Sequence, residues 1–268
     1  MESRFSADRA PGMMRGVIAR VIGVGAVSAA GLGGEVLRRA LVERRPCLGP
    51  DPRFPGALVG AVSACPVDRR SPRLVSYAVE AARQAVAERP PGRGALVVAT
   101  THGGSGFCQE FHDGFTSPLL FSASVHNAAA SVLSERFRIQ GPVHTLLAGG
   151  DGTAQVIETA AGILAEGLAD WALAGTADEL NSAILAGYAA KGYHGSPAEG
   201  SAMFLLSGEG RPLLRWPSER IRLDGAEVDR SLLGEAFAVT EGLLLAATWT
   251  CSEASTLVGG EWLPLWGA

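Results

Sequence analysis

Lysine is almost absent from this 268-residue chain: Lys191 is the only one, and the rest of the positive charge is arginine. With a formal net charge of −4, the chain has no basic surplus with which to hold a nucleic-acid backbone or an anionic bilayer. Cysteine is scarce as well. Cys47, Cys65, Cys108 and Cys251 are scattered without C-x-x-C spacing, so free thiols in a cytosolic protein are expected, not a zinc or disulfide framework. His, Cys, Asp and Glu nowhere fall at metal-ligand spacing, and neither a metal nor a cofactor is expected. No apolar run reaches the ~18 residues of a membrane span. The apolar stretch 21–34 follows arginines as a signal peptide would. It is rich in glycine, however, and leads straight into a polar-faced helix, so it reads as a buried first strand and its turn.

What the chain does have is apolar bulk, with 47% hydrophobic residues and 35 glycines, enough for one large α/β domain with or without a small appendage. Short all-apolar runs at 17–27, 95–100, 143–148, 171–174 and 201–206 read as buried strands. Segments with helical apolar spacing lie between them, at 31–44, 74–88, 124–137 and 153–165. Residues 45–73 hold six prolines and read as an irregular excursion. The glycine-rich turn at 102–106 leads into a loop carrying Phe107, Phe111 and Phe115. This alternation predicts a mainly parallel, mixed α/β sheet covered by helices.

Five blocks resemble the N-terminal half of the β-ketoacyl synthases, in the order that family has them. The opening Ile22-Gly23-Val24-Gly25-Ala26-Val27-Ser28-Ala29-Ala30-Gly31 resembles its first strand and turn. Ser117-Pro118 through Ser124-Val125-His126-Asn127 resembles the segment before its nucleophile. Gly141-Pro142 through Gly149-Gly150-Asp151-Gly152-Thr153-Ala154 resembles the nucleophile turn, in which a strand delivers a cysteine to a helix N-terminus. Glu166-Gly167-Leu168-Ala169-Asp170 through Ala174-Gly175 and Glu199-Gly200-Ser201-Ala202-Met203-Phe204-Leu205-Leu206 resemble the two strands that follow. The resemblance implies a thiolase-like half-fold over 16–207. Residues 1–15 would be a flexible extension, and 208–268 a short β-rich cap on the same domain.

In this alignment the cysteine position falls on Gly150, which cannot be acylated. All five histidines lie at or before His194, so the two histidines of the missing second half have no candidates. The resemblance therefore implies a chain-length-factor-like subunit without catalytic residues of its own. Its partner would be a full-length β-ketoacyl synthase, and acyl carrier protein would visit transiently. Leu119, Leu120 and Phe121 would form the tunnel gate at the dimer, Leu120 nearest the gating position, and Gly149, Gly150 and Asp151 a partner-facing turn. Trp249, Trp262 and Trp266 beside 243–245 would help cover the exposed half-fold. Arg38-Arg39 and Arg69-Arg70 could meet an acidic carrier protein, but exposed helix and loop charges are the default explanation.

Two alternatives stay open. One is a stand-alone acyl-transferring or hydrolytic enzyme using Cys108, four residues before His112, or Cys251. The other is a homodimeric scaffold that binds acyl carrier protein.

Overall fold

In the computed structural model, residues 17–114, 117–193, 195–218 and 220–267 are described, without the side chains of Leu119 and Leu120. The expected extension at 1–15, Phe115 and His194 lie outside them. The chain opens with β1 (Ala19–Ser28), against which the two-residue β2 (Gly31–Leu32) folds back. That pairing holds Gly33 at φ 95, so α1 (Gly34–Val42) starts three residues later than the apolar spacing suggested. The proline-rich stretch yields only β3 (Gly49–Pro50) and β4 (Leu58–Val59), because each proline removes a ladder donor. Helix α2 (Arg73–Ala85) then buries a continuous stripe that includes Leu74, Tyr77, Ala78 and Ala81.

Strand β5 (Gly94–Thr100) is buried at every residue. It leads to α3 (Ser105–His112), α4 (Pro118–Ala123) and α5 (Ala128–Arg136). Strand β6 (Val143–Leu147), α6 (Gly152–Ala165), β7 (Trp171–Asp178) and α7 (Ser182–Ala190) follow. The sheet is completed by β8 (Gly200–Ser207) and the short β9 (Arg211–Leu213).

The strand order is β2-β1-β8-β7-β5-β6, with β9 beside β1. Strand β5 pairs in parallel with both β6 and β7, whereas β8 runs antiparallel to β7 and β1. Strands β1, β5, β6 and β7 thus point one way, and β8 opposes them. This is the expected mainly parallel mixed sheet. Alternation along the strands sends Leu96, Val98, Leu173 and Met203 to a core shared with α2 and α5. Val97, Ala99, Ala174 and Phe204 go to a second core on the other face, against α1 and α6.

The C-terminal segment adds a four-stranded antiparallel sheet, made of β10 (Ile221–Leu223), β11 (Ala226–Val228), β12 (Ala254–Val258) and β13 (Glu261–Pro264). Between β11 and β12 runs α8 (Thr240–Trp249), buried along most of its length against α1, β1 and β8. The remnant is therefore helical as well as β-rich. Leu243, Leu244 and Leu245 lie in the second core. Trp266 donates to Thr248 Oγ1 at 2.9 Å and meets Trp249 edge-on at 5.1 Å. Trp262 sits under Arg222, 4.0 Å from its ring centroid.

Two local expectations are corrected. Residues 105–112 form a helix and not a loop, because Gly103 and Gly104 make the turn before it and Phe107 anchors it inside. The helix expected at 124–137 begins at Ala128, and Ser124 to Asn127 are spent on the turn between α4 and α5. No helix among the described residues is long and apolar enough to cross a membrane.

Candidate functional site

The turn singled out in the sequence joins β6 to α6 at the carboxyl end of the parallel strands, where open α/β sheets place their ligands. Ala148 donates to the Thr100 carbonyl at 3.1 Å and accepts from Thr101 Oγ1 at 2.8 Å, which fixes the start of the turn against β5. The far end is crowded: a Cβ on Gly152 would come within 2.8 Å of the Ala238 side chain. Gly149, Gly150 and Asp151 are exposed, and a Cβ on Gly149 or Gly150 meets nothing within 4 Å. Glycine at 150 is thus not demanded by crowding, and its backbone is not left-handed. There is room for a side chain, and the chain does not supply one.

The head of α6 is occupied in another way. Asp151 stands at the N-cap but makes no capping bond, and its Oδ2 accepts from Gln155 Nε2 at 2.8 Å. The Ala154 N–H is taken by Glu241, which reaches across from α8. Burial pushes the Glu241 carboxyl up to about 7, and its Oε2 has no partner among the described residues. An acidic side chain from the C-terminal segment therefore lies at the first turn of α6, the end of the helix that favours negative charge. Nothing in the sequence marked Glu241, because the contact is 87 residues distant and follows no local pattern.

Gly150→Cys is accordingly expected to fold normally and to give a sluggish thiol, alkylated no faster than free cysteine at the same pH. Neutralising the neighbour in Gly150→Cys/Glu241→Gln should speed alkylation. Rates about tenfold above free cysteine in the single variant, or any condensation activity, would overturn this.

Around the same sheet end lie two buried acids on β7 and just after it. Asp178 Oδ1 accepts from Thr100 Oγ1 (2.7 Å), Thr101 N (2.8 Å) and His102 N (3.2 Å). Glu179 accepts from Leu74 N at 3.1 Å and from the Gly106 amide, tying α2 to the start of α3. Burial raises Asp178 to about 6 and Glu179 to about 7, while His102 is pushed down by its own burial. Above the ordinary carboxylate range, the folded state thus keeps protons that the unfolded chain has released, on Asp178 up to about pH 6 and on Glu179 and Glu241 up to about pH 7. Their contribution is complete below the ordinary carboxylate range and is lost as pH rises to about 7. His102 works in the opposite sense but is a single group. Melting temperature is therefore expected to be about 5 °C or more higher at pH 5.5 than at pH 8. Glu179→Gln and Glu241→Gln should flatten the profile, and a melting temperature that rises towards pH 8 would contradict it.

His102 belongs to an aromatic cluster. Its Nε2 is hydrogen-bonded to the Tyr188 hydroxyl at 2.9 Å, with the donor set by the imidazole tautomer. Phe237, held at φ 48, stacks on Tyr188 at 5.0 Å and meets His102 edge-on at 4.9 Å. Tyr193 bonds Glu235 on the other side of Tyr188.

The remaining candidates are dispersed. Cys251 is buried, donates to the Ala247 carbonyl at 3.4 Å, and has its thiol pushed up to about 12 by burial, which suits packing and not nucleophilic attack. Cys108 and His112 are exposed on α3, and no hydrogen bond joins them among the described residues. His126 is exposed beside Gly103. Phe121 is 61% exposed on α4 and lies 5.8 Å from the Phe111 ring. The side chains of Leu119 and Leu120 fall outside the described residues. Arg38 is engaged within the chain, to Glu35 at 2.7 Å and Asp224 at 2.8 Å, so it ties α1 to the cap. No group of acids, histidines and cysteines among the described residues could hold a metal ion.

The sequence matches no known protein family and no curated protein. Its structure is similar to solved ones. The ishigamide ketosynthase/chain length factor matches with a TM-score of 0.66 at 18% identity, over 76% of this chain and 67% of that one. A ketosynthase (ApeO) in complex with its chain length factor (ApeC) from Xenorhabdus doucetiae matches with a TM-score of 0.63 at 18% identity, over 80% and 64%. A β-ketoacyl synthase from Burkholderia phymatum STM815 matches with a TM-score of 0.60 at 19% identity, over 70% and 58%. This chain thus spans about two thirds or less of the proteins it resembles. Its fold is that of the β-ketoacyl synthases and their chain length factors.

Proposed function

We propose that this chain is a non-catalytic ketosynthase-like subunit that pairs with an active β-ketoacyl synthase and shapes its acyl tunnel. One observation carries the reading: in a ketosynthase fold, the turn that would bear the nucleophile has open space and no side chain at Gly150. In this reading residues 16–207 supply the ketosynthase half and 208–268 cap it, with Gly149, Gly150 and Asp151 facing the partner. Leu119, Leu120 and Phe121 form the gate, acyl carrier protein visits the pair transiently, and the four free thiols suit a cytoplasmic setting.

Among the described residues β6 has a free edge, and this supports the choice of partner. Val143 and Leu147 on that edge are 44% and 64% exposed. Val125, Val132, Phe111 and Phe121 extend an exposed apolar surface over the neighbouring turns and helices. An unpaired apolar sheet edge is a poor surface to leave in water and a good one to cover with another subunit.

The test is co-expression with a full-length synthase that retains its cysteine and both histidines. A one-to-one complex is expected, and Leu120→Ala should lengthen the products without dissociating it. Self-association of this chain with no complex would favour the scaffold reading and overturn the pairing. An unchanged product distribution in Leu120→Ala would remove the gate.

A further inference from the structure

The small C-terminal sheet turns one face to the core and the other to solvent. Ile221, Leu223, Val228 and Ala254 point inward and join the second core. Strand alternation, with Arg222 opposite Ser255 and Leu257 opposite Trp262, puts these intervening side chains on the outer face. A solvated sheet face is ordinarily polar. This one carries a half-buried tryptophan beside Leu257, and Trp262 belongs to none of the hydrophobic cores.

Two guanidinium groups converge on that ring. Arg222 Cζ lies 4.0 Å from its centroid and Arg220 Cζ 5.8 Å. Like charges gathered at one ring repel, and a single acid at an outward strand position answers them: Glu227 accepts from Arg220 Nε at 2.7 Å. Arg222 has no hydrogen-bond acceptor among the described residues, so its place over the ring keeps its N–H donors for an acceptor from outside. A third arginine, Arg215, donates to the Pro264 carbonyl at the end of β13, 2.9 Å away. Sheltering the indole needs only the stems of these side chains, and the concentrated positive charge goes beyond it.

We propose that this face docks an acidic segment of a partner protein, one that presents two carboxylates close together beside an apolar side chain. The carboxylates meet Arg222 and Arg220, and the apolar side chain settles on Leu257 and the exposed part of Trp262. Charge complementarity sets the sign of the partner. The adjoining apolar residues favour a protein over a nucleic acid. A phosphate backbone binds along an extended track of cations, whereas here two are focused on one ring in a chain of net charge −4. The site lies on the C-terminal sheet and does not rest on the pairing proposed above.

Fluorescence anisotropy of the full chain with a short labelled peptide of glutamate and leucine is expected to show saturable binding, with a Kd of about 100 μM at low salt. The same peptide with glutamine for glutamate should bind about tenfold more weakly. Arg222→Met keeps a stem over the ring and removes the charge, so it should weaken the acidic peptide by a similar factor with the melting temperature unchanged. Trp262→Leu should weaken it too. Arg83→Met, which removes an exposed arginine from α2, should leave it as it was. The proposal is overturned if the acidic peptide shows no saturation at about ten times that concentration. It is equally overturned if the glutamine peptide binds as well, if Arg222→Met behaves as Arg83→Met does, or if oligouridylate binds more tightly than the peptide.

Discussion

Replacing Glu199 with leucine is expected to cost about 3–5 kcal/mol of folding stability, enough to leave little folded protein. Glu199 is completely buried beside β8, yet it joins four separate segments. Its oxygens accept from Val62 N and Leu180 N, each at 3.0 Å, and from Arg53 Nη2 at 2.8 Å, and Arg73 Nη2 lies 3.5 Å away. Tyr77, itself bonded to Arg73, adds its hydroxyl, and burial holds that hydroxyl firmly protonated. Leucine would leave two guanidinium groups and two amide donors facing a methyl surface, the costly way to break a buried pair. Glu199→Gln keeps the shape and should fall between the two. Denaturant unfolding of the three proteins decides the matter. A loss below about 1 kcal/mol for Glu199→Leu would mean that the arginines find water and the carboxylate is dispensable.

Leu147→Asp is expected to weaken the complex with a synthase about 100-fold or more while leaving the melting temperature of the chain itself almost unchanged. The two readouts separate because Leu147 is 64% exposed at the free edge of the sheet, where it contributes little to the core. A carboxylate forced into an apolar interface has no counter-ion and loses its water, so the penalty falls on association alone. Val258→Asp provides the control, since Val258 is similarly exposed but lies on the small C-terminal sheet. Equal effects of the two variants, or an undiminished complex with Leu147→Asp, would move the interface away from β6.

Much of the sheet was legible in the sequence because its strands are buried on both faces and therefore continuously apolar, as in Gly94–Thr100. The Gly150 turn was legible for a related reason: strand, small-residue turn and helix follow one another without interruption. Four helices were not: α3, α4, α7 and α8. In α3 the apolar residues are few and follow four residues of which three are glycine, so the local composition resembles a loop. Helix α8 is apolar on nearly every side and lacks the polar face that gives a helix its period. The electrostatic arrangement was hidden more deeply. Glu241 on Ala154, and Tyr188 on His102, pair residues 80 or more positions apart, and only the closed fold brings them together.

The antiparallel placement of β8 has a consequence for how the chain reaches this state. Strand β1 is synthesised first, yet its main partner spans Gly200–Ser207, and β7 also waits for that strand to pair its open side. The middle of the sheet is therefore closed last. Until β8 has been made, two apolar strands present unpaired edges, a topology of long sequence separation that folds slowly and invites misassociation. Chaperone occupancy on the nascent chain should accordingly persist until β8 has left the ribosome and drop once it has docked.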